Sequence, residues 1–419
     1  MNQRLFSYNF NILLSGVFVK AIGTGIYSIA GMLLVLYISG DPFYSGVAFF
    51  VISLPSCISF LISPFANYVS YKKALIVCEL AKSMLLFLIP LLYAFSVLQV
   101  SYVIMIMFSV ALISAFTYPI ETTLVPSFVG KANVVKANSY INTLRESLDI
   151  VFLAVAGVLV AVIGSVQAVL ITACCHAITS LLYLLFRFEA NKVTNDSDTY
   201  KTKILIQSYK KDLKAGIEYI RHSILPHIIV SAVFVNFFVG GMFASLPAFS
   251  LMQGGSEAFY GYFMVAMTLG MLGGSILTPR IKQLPYGSLT MVSALWAGLF
   301  WLGATLLPAW FSIVFYGIGF IAVGVINILL FSIIQQQVEV KMIGRVITVL
   351  TSFAAIGQPV GALLGGTISS MFSPVYPFIL SGMIMVLFSL YWLLHPILRS
   401  LKPIDKLTLF TPSAEKQAQ

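Results

Sequence analysis

Between residues 189 and 222 the chain reads Glu189-Ala-Asn-Lys-Val-Thr-Asn-Asp-Ser-Asp-Thr-Tyr-Lys-Thr-Lys-Ile-Leu-Ile-Gln-Ser-Tyr-Lys-Lys-Asp-Leu-Lys-Ala-Gly-Ile-Glu-Tyr-Ile-Arg-His222. It is the only long polar stretch before the carboxyl-terminal tail, and it carries Lys192, Lys201, Lys203, Lys210, Lys211, Lys214 and Arg221. On either side the sequence is almost continuously apolar, broken only by short polar joints. A helix crossing a bilayer needs about 20 residues, because its backbone must satisfy its own hydrogen bonds in hydrocarbon. Runs of that length lie at 10–38, 44–66, 74–95, 101–126, 138–163 and 166–188 before the stretch. They recur at 224–249, 258–279, 287–307, 310–335, 347–371 and 375–398 after it. The reading is therefore an all-α membrane protein of twelve transmembrane helices. Its parts are a bundle over 1–188, a cytoplasmic linker over 189–223, a second bundle over 224–398 and a tail over 399–419. Within the linker, Tyr209, Leu213, Ile217 and Ile220 form one stripe, as for a helix lying along a membrane surface.

Composition supports lipid as the solvent. Of 419 residues, 59% are hydrophobic and 9% charged, against roughly 25% charged in soluble domains. Mean hydropathy is +0.97. The formal net charge of +10 points to nucleic acid only if the bases form a surface patch; here they sit in short joints between apolar runs. Alternate joints hold Lys72 and Lys73, Lys131 and Lys136, the 189–222 stretch, Arg280 and Lys282, Lys341 and Arg345, and the tail from Arg399. The joints between them have no Lys or Arg, only Asp41 and Glu257. Positive charge stays on the cytoplasmic side, so both termini are expected in the cytoplasm of a bacterial plasma membrane. The first apolar run follows Arg4, is too long for a signal peptide and is expected to be retained. Cys57, Cys78, Cys174 and Cys175 lie in apolar runs without metal or redox spacing and read as packing residues.

Six spans, a cytoplasmic linker and six more is the layout of transporters built from two related halves that rock about a midplane site. Both halves place a basic joint between their second and third helices, Tyr71-Lys72-Lys73 and Arg280-Ile281-Lys282. The halves differ in buried charge. The first half holds Lys20, Glu79, Lys82, Glu121, Arg145, Glu146 and Asp149 inside its spans, and the second has none placed deeply. A charge in hydrocarbon costs at least a few kcal/mol, so these groups should face one another or a water-filled cavity.

Depth suggests the pairs. Glu121, near the end of span four, and Arg145, near the start of span five, lie at similar depth in a hairpin. Asp149 is one turn beyond Arg145 on the same face, and Lys20 is close to Asp149 in depth. Gly16, Lys20, Gly23 and Tyr27 share a small or polar face of span one, suited to a cavity lining. Glu79 and Lys82, three apart, pair locally, and with Glu146 they read as structural ion pairs. Four acids face three bases, so one carboxylate is left to exchange a proton, Asp149 first and Glu121 second. The opposing reading of all seven is a static ion-pair network, or shallow hydration near the cytoplasmic face.

Lys20, Tyr27 and Arg145, with Asn236 and Asn327 of the second half, are the candidate substrate contacts. The two amides serve equally well as interhelical glue. His176, His222, His227 and His395 are scattered, which suggests neither a metal site nor a relay. There is no phosphate-binding Gly-rich loop, zinc cluster or nucleophile elbow, so neither an ATP-driven pump nor an enzyme is indicated, and no cofactor or metal is expected.

Several short stretches resemble the major facilitator superfamily, in its branch of macrolide-efflux and enterobactin-type siderophore exporters. They are Leu13-Leu-Ser-Gly16, Ile38-Ser-Gly-Asp-Pro-Phe43, Lys136-Ala-Asn-Ser139, Leu213-Lys-Ala-Gly-Ile-Glu-Tyr-Ile-Arg221 and Gln336-Gln-Val-Glu-Val-Lys-Met-Ile-Gly-Arg345-Val346. Their order and spacing run over roughly 8–398. The resemblance implies two six-helix bundles related by a pseudo-twofold axis. It also implies a monomeric efflux transporter working by alternating access, with a small molecule and a proton as partners. The family's Gly-x-x-x-Asp-Arg-x-x-Arg-Arg joint is here Ser63-Pro-Phe-Ala-Asn-Tyr-Val-Ser-Tyr-Lys-Lys73. Asn67 replaces the acid and Tyr68 the first base, and Pro119-Ile-Glu121 stands where relatives often carry Arg after Pro. With Lys20 and Arg145 at cavity depth, the expectation is proton antiport of an anionic, siderophore-like metabolite. The alternatives are macrolide or multidrug efflux and, in another class, a membrane sensor or assembly factor that moves nothing.

Overall fold

The computed structural model describes residues 5–57, 69–130, 133–187, 217–221, 223, 225–338 and 340–403. Some side chains within the helices, Glu146 and Asp149 among them, lie outside this description. The first six long helices are α1 (Tyr8–Ser39), α2 (Pro42–Cys57), α3 (Tyr71–Ala94), α4 (Val100–Val129), α5 (Val134–Ile163) and α6 (Ser165–Leu184). The second six are α7 (Leu225–Gly254), α8 (Ala258–Ile281), α9 (Tyr286–Leu306), α10 (Ala309–Gln337), α11 (Val340–Met371) and α12 (Val375–Leu394), followed by the single turn α13 (Pro396–Arg399). Among the described residues nine of these helices are long and apolar enough to cross a membrane. The other long ones are α2, described only as far as Cys57, α5 and α11. Of these, α5 is diluted by Lys136, Arg145, Glu146 and Asp149.

Turn chemistry sets the joints. Gly40 ends α1 with φ +64°, the left-handed conformation that glycine adopts without cost, and its N–H bonds Leu36 O. Asp41 Oδ1 then accepts from Phe43 N at 2.9 Å, and Pro42 opens α2. The Ile38–Phe43 stretch is thus a helix stop and a helix start in one. Of the surface helix expected over the linker, residues 217–221 are helical; the remainder lies outside the described residues.

The chain divides into two compact units, Met1–Ile204 with Ser256–Gly261, and Leu205–Gly255 with Tyr262–Gln419. In the first, α1 packs on α5 and α6, α3 on α4 and α6, and α2 on α4. In the second, α7 packs on α11 and α12, and α9 on α10 and α12, while α8 meets α10 through Gly270, Gly274, Gly317 and Gly324. The pairing scheme of one unit is repeated in the other, as expected of a fold built from two related halves.

Two physical devices hold the helices together. In the first unit, hydroxyls bond carbonyls across helices: Ser83 Oγ donates to Ala173 O at 2.8 Å, Ser180 Oγ to Ile76 O at 2.9 Å, and Thr172 Oγ1 to Gly23 O at 3.1 Å. In the second, backbones approach so closely that no side chain fits. A Cβ on Gly361 would collide with the Phe237 carbonyl, and one on Gly240 with that of Gln358. Without a hydrophobic force between helices in lipid, such small-residue seams supply van der Waals contact instead.

Candidate functional site

The first unit encloses a cavity of about 380 Å³. Its lining on α1 is Val17, Lys20, Ala21, Thr24, Tyr27, Ser28 and Met32, the three- and four-residue steps of one helix face. Met107, Val110 and Ala111 of α4 form apolar wall, while Thr117, Tyr118 and Glu121 continue that helix into the polar end. Lys82 comes from α3, Arg145 from α5 and His176 from α6.

Glu121 is the hub. It is 2% exposed, and its Oε1 accepts from Lys20 Nζ and from Tyr183 Oη, the latter at 3.3 Å. Its Oε2 accepts from Arg145 Nη2 at 2.9 Å. The Arg145 guanidinium also sits 5.5 Å from the centre of the Tyr118 ring, a cation–π distance. Lys20 and Arg145 keep 16% and 24% of their side chains exposed, so both cations are in contact with the cavity while the carboxylate between them is covered.

A second cluster lies deeper. Glu79 Oε1 accepts from Lys82 Nζ at 2.6 Å, and Glu79 Oε2 lies 2.7 Å from His176 Nδ1. The three are 0%, 1% and 4% exposed. Because an ionised carboxylate can only accept, Nδ1 carries the proton, which leaves the lone pair of a neutral His176 on Nε2. Ser83, Thr172 and Ser180 pin α6 on both sides of His176 and fix its register against α1 and α3.

Of the expected residues, the structure brings Lys20, Tyr27, Lys82, Glu121 and Arg145 together around one space, with Glu79 paired to Lys82. Lys20 meets Glu121 directly, where depth alone had set it beside Asp149. Asp149 and Glu146 fall on α5, with side chains outside the described residues. Among the described residues the Tyr27 hydroxyl is buried without a hydrogen-bond partner. Gly16 and Gly23 do not line the cavity. A Cβ on Gly16 would strike the Tyr183 ring, and one on Gly23 would come within 2.9 Å of Cys175 Cβ. They are small so that α1 can lie against α6.

Asn236 and Asn327 belong to the second unit and contribute nothing to this cavity. The Asn236 amide donates to Ala232 O of its own helix at 2.9 Å, and Asn327 is exposed on α10. Scattered along the chain with three other histidines, His176 does not stand out in the sequence. The signal lay on one face of α6, where Thr172, His176, Thr179, Ser180 and Tyr183 make a buried polar stripe at helical spacing. Among the described residues no group of three or more His, Cys, Asp or Glu could hold a metal, and Cys78, Cys174 and Cys175 are free.

Two repeated six-helix units, with buried ionisable groups around a cavity in one of them, define a multi-pass membrane transporter rather than an enzyme. The family model of the Major Facilitator Superfamily matches residues 13–358; the chain belongs to that superfamily. A curated relative, the uncharacterized MFS-type transporter YkuC of Bacillus subtilis (strain 168), is 26% identical over 284 residues, 66% of this chain and 65% of the relative. The aligned stretch thus spans just under two thirds of that protein. Among solved structures, the nucleoside transporter NupG aligns with TM-score 0.70 at 14% identity, covering 92% of this chain and 98% of NupG. A bacterial homolog of the human lysosomal transporter Spinster, inward-facing and unoccupied, aligns with TM-score 0.63 at 13% identity, covering 94% and 95%. These two likenesses establish the fold alone.

Proposed function

We propose that this transporter is a proton-coupled secondary exporter working by alternating access, and that its cargo is a small anionic, amphipathic metabolite of the siderophore kind. The observation that carries the reading is the placement of two cations at the cavity wall. Lys20 and Arg145 are both partly exposed to the space, while Glu121 between them is covered. Among the described residues the remaining walls are largely apolar. Glu121 then acts as an internal stand-in for substrate. A carboxylate entering the cavity takes Lys20 and Arg145, and Glu121, released from them, becomes free to exchange a proton. Asp149 keeps the role of a second proton-exchanging carboxylate by its place one turn beyond Arg145. The direction of transport and the cytoplasmic placement of both termini rest on the family branch and on the basic joints.

A second reading, macrolide or multidrug efflux by proton antiport, is favoured by the apolar wall of Met107, Val110 and Ala111. A cationic drug amine would compete with Lys20 for Glu121, and with a proton for the same carboxylate. Antiport requires that competition.

Flux of a carboxylate siderophore and of a macrolide into everted membrane vesicles, with and without a proton gradient, tests the two readings. Lys20→Met should lower carboxylate flux at least about tenfold, the cost of one charge-assisted contact. Unchanged carboxylate flux in that variant, with macrolide flux responding to the gradient, overturns the first reading in favour of the second.

A further inference from the structure

The Glu79–Lys82–His176 cluster has no part in gripping cargo, yet two of its members line the same cavity. Its geometry has the form of a held imidazole. Glu79 fixes the Nδ1–H tautomer and the ring orientation at 2.7 Å, as a carboxylate does for a catalytic or metal-bound histidine. Nε2 makes no hydrogen bond to the described residues, and His176 reaches the cavity wall.

The charges that face His176 are Glu79 and Lys82 from α3 and Lys20 from α1. Beyond Lys20 lie Glu121 of α4 and Arg145 of α5, and Cys175 and Tyr183 flank it on its own helix. A proton on His176 adds one positive charge to a cavity whose wall already presents Lys20 and Arg145. An anion held by Lys20 and Arg145 therefore stabilises the proton on His176, and that proton stabilises the anion. The two effects are one coupling free energy and are equal by linkage.

We propose that His176, held by Glu79, is the proton-loading group of this cavity, and that a proton on its Nε2 and an anion on Lys20 and Arg145 bind together. The inference rests on the anionic reading above and assigns the coupled proton to His176 in place of Glu121 and Asp149. The proton comes from cavity water and returns there when the anion leaves; no covalent bond other than N–H forms or breaks. Anion and proton then cross in the same direction, and export is driven by the cargo's own gradient, in place of the antiport expected from the sequence.

Three probes of one shape separate the possibilities: benzoate, benzamide and benzylamine, carrying negative, zero and positive charge. Their binding to the purified full chain in detergent is measured by calorimetry between about pH 5.5 and about pH 8, the range in which an imidazole changes charge. In the wild type, benzoate should bind better than the other two, tighten about tenfold toward the acid end, and take up a proton as it binds, a coupling in the usual range. In His176→Gln the benzoate affinity should be flat with pH, whereas in Glu121→Gln the pH dependence should persist. A pH dependence retained in His176→Gln, or lost in Glu121→Gln, overturns the assignment while leaving the anionic reading intact. Benzylamine or benzamide binding as well as benzoate overturns both. If His176→Gln does not fold, ¹⁵N-histidine spectra of a chain with His222, His227 and His395 replaced by Gln read the remaining imidazole directly. Benzoate should convert it toward imidazolium, and an unchanged neutral spectrum counts against the proposal.

Discussion

The two six-helix units share a pairing scheme and almost nothing else. The first buries Glu79, Lys82, Glu121 and His176 and ties its helices through hydroxyl–carbonyl bonds. Among the described residues the second buries no Asp, Glu, Lys or Arg. It is held instead by glycine seams and by an aromatic core. Phe249 stacks on Phe378 at 4.0 Å and meets Phe263 at 5.6 Å, and Phe263 meets Tyr316 at 5.3 Å. One architecture thus carries two solutions to helix association in lipid. A polar core is costly unless every charge is paired and is specific once they are, which suits the unit that must do chemistry. Seams of Gly240, Gly241, Gly361 and Gly365 pack without charge.

The sharpest break between the units is expected at Glu79. Replacing it by Ala leaves Lys82, 1% exposed, buried without its ion-pair partner, at a cost of about 4 kcal/mol in unfolding free energy. Glu79→Leu combined with Lys82→Met should recover most of that loss, because a buried pair exchanged for apolar residues is often neutral. Denaturant unfolding in detergent reads both. If the single variant is as stable as the wild type, the polar core of the first unit is not holding charge at all. In the second unit the matching perturbation is steric. Gly361→Ala drives a methyl group into the Phe237 carbonyl and should cost about 2 kcal/mol, while the charge preference of the cavity stays as it was. A changed preference between anionic and cationic probes in that variant would mean the two units do not divide the work as described. Smallest of all should be Tyr27→Phe. Its hydroxyl has no partner among the described residues, so stability should move by less than about 0.5 kcal/mol. A large drop in flux without loss of stability would make that hydroxyl a substrate contact.

The fold was legible because a bilayer imposes a length on every span and a sign on every joint. The same reasoning paired Glu121 with Arg145 by depth and Glu79 with Lys82 by helical step; the side chains of Glu146 and Asp149 lie outside the described residues. Lys20 could not be placed that way. Depth along a helix constrains only one coordinate, and rotation about α1 decides that Lys20 meets Glu121. The same missing rotation misread Gly16 and Gly23, which look like cavity lining by spacing but face α6. His176 was hidden for a different reason. A lone histidine in an apolar run gains meaning only when Glu79, three helices away in sequence, is brought to 2.7 Å from it. The glycine seams do have a period, Gly357-x3-Gly361-x3-Gly365 and Gly270-x3-Gly274, the spacing of close helix contact, but spacing along one helix does not name the helix it meets.

Every functional step above requires that the ionisable side chains of the first unit face water rather than lipid. Cysteine accessibility tests that claim directly. In a chain whose four native cysteines are replaced, Thr24→Cys and Ser114→Cys place thiols on the cavity wall, and Leu181→Cys places one on the exposed outer face of α6. A membrane-impermeant thiol reagent should label the first two in intact membranes and leave the third untouched, and benzoate should slow labelling of Thr24→Cys. Labelling of all three only by a lipid-soluble maleimide, with no protection by benzoate, would contradict the account.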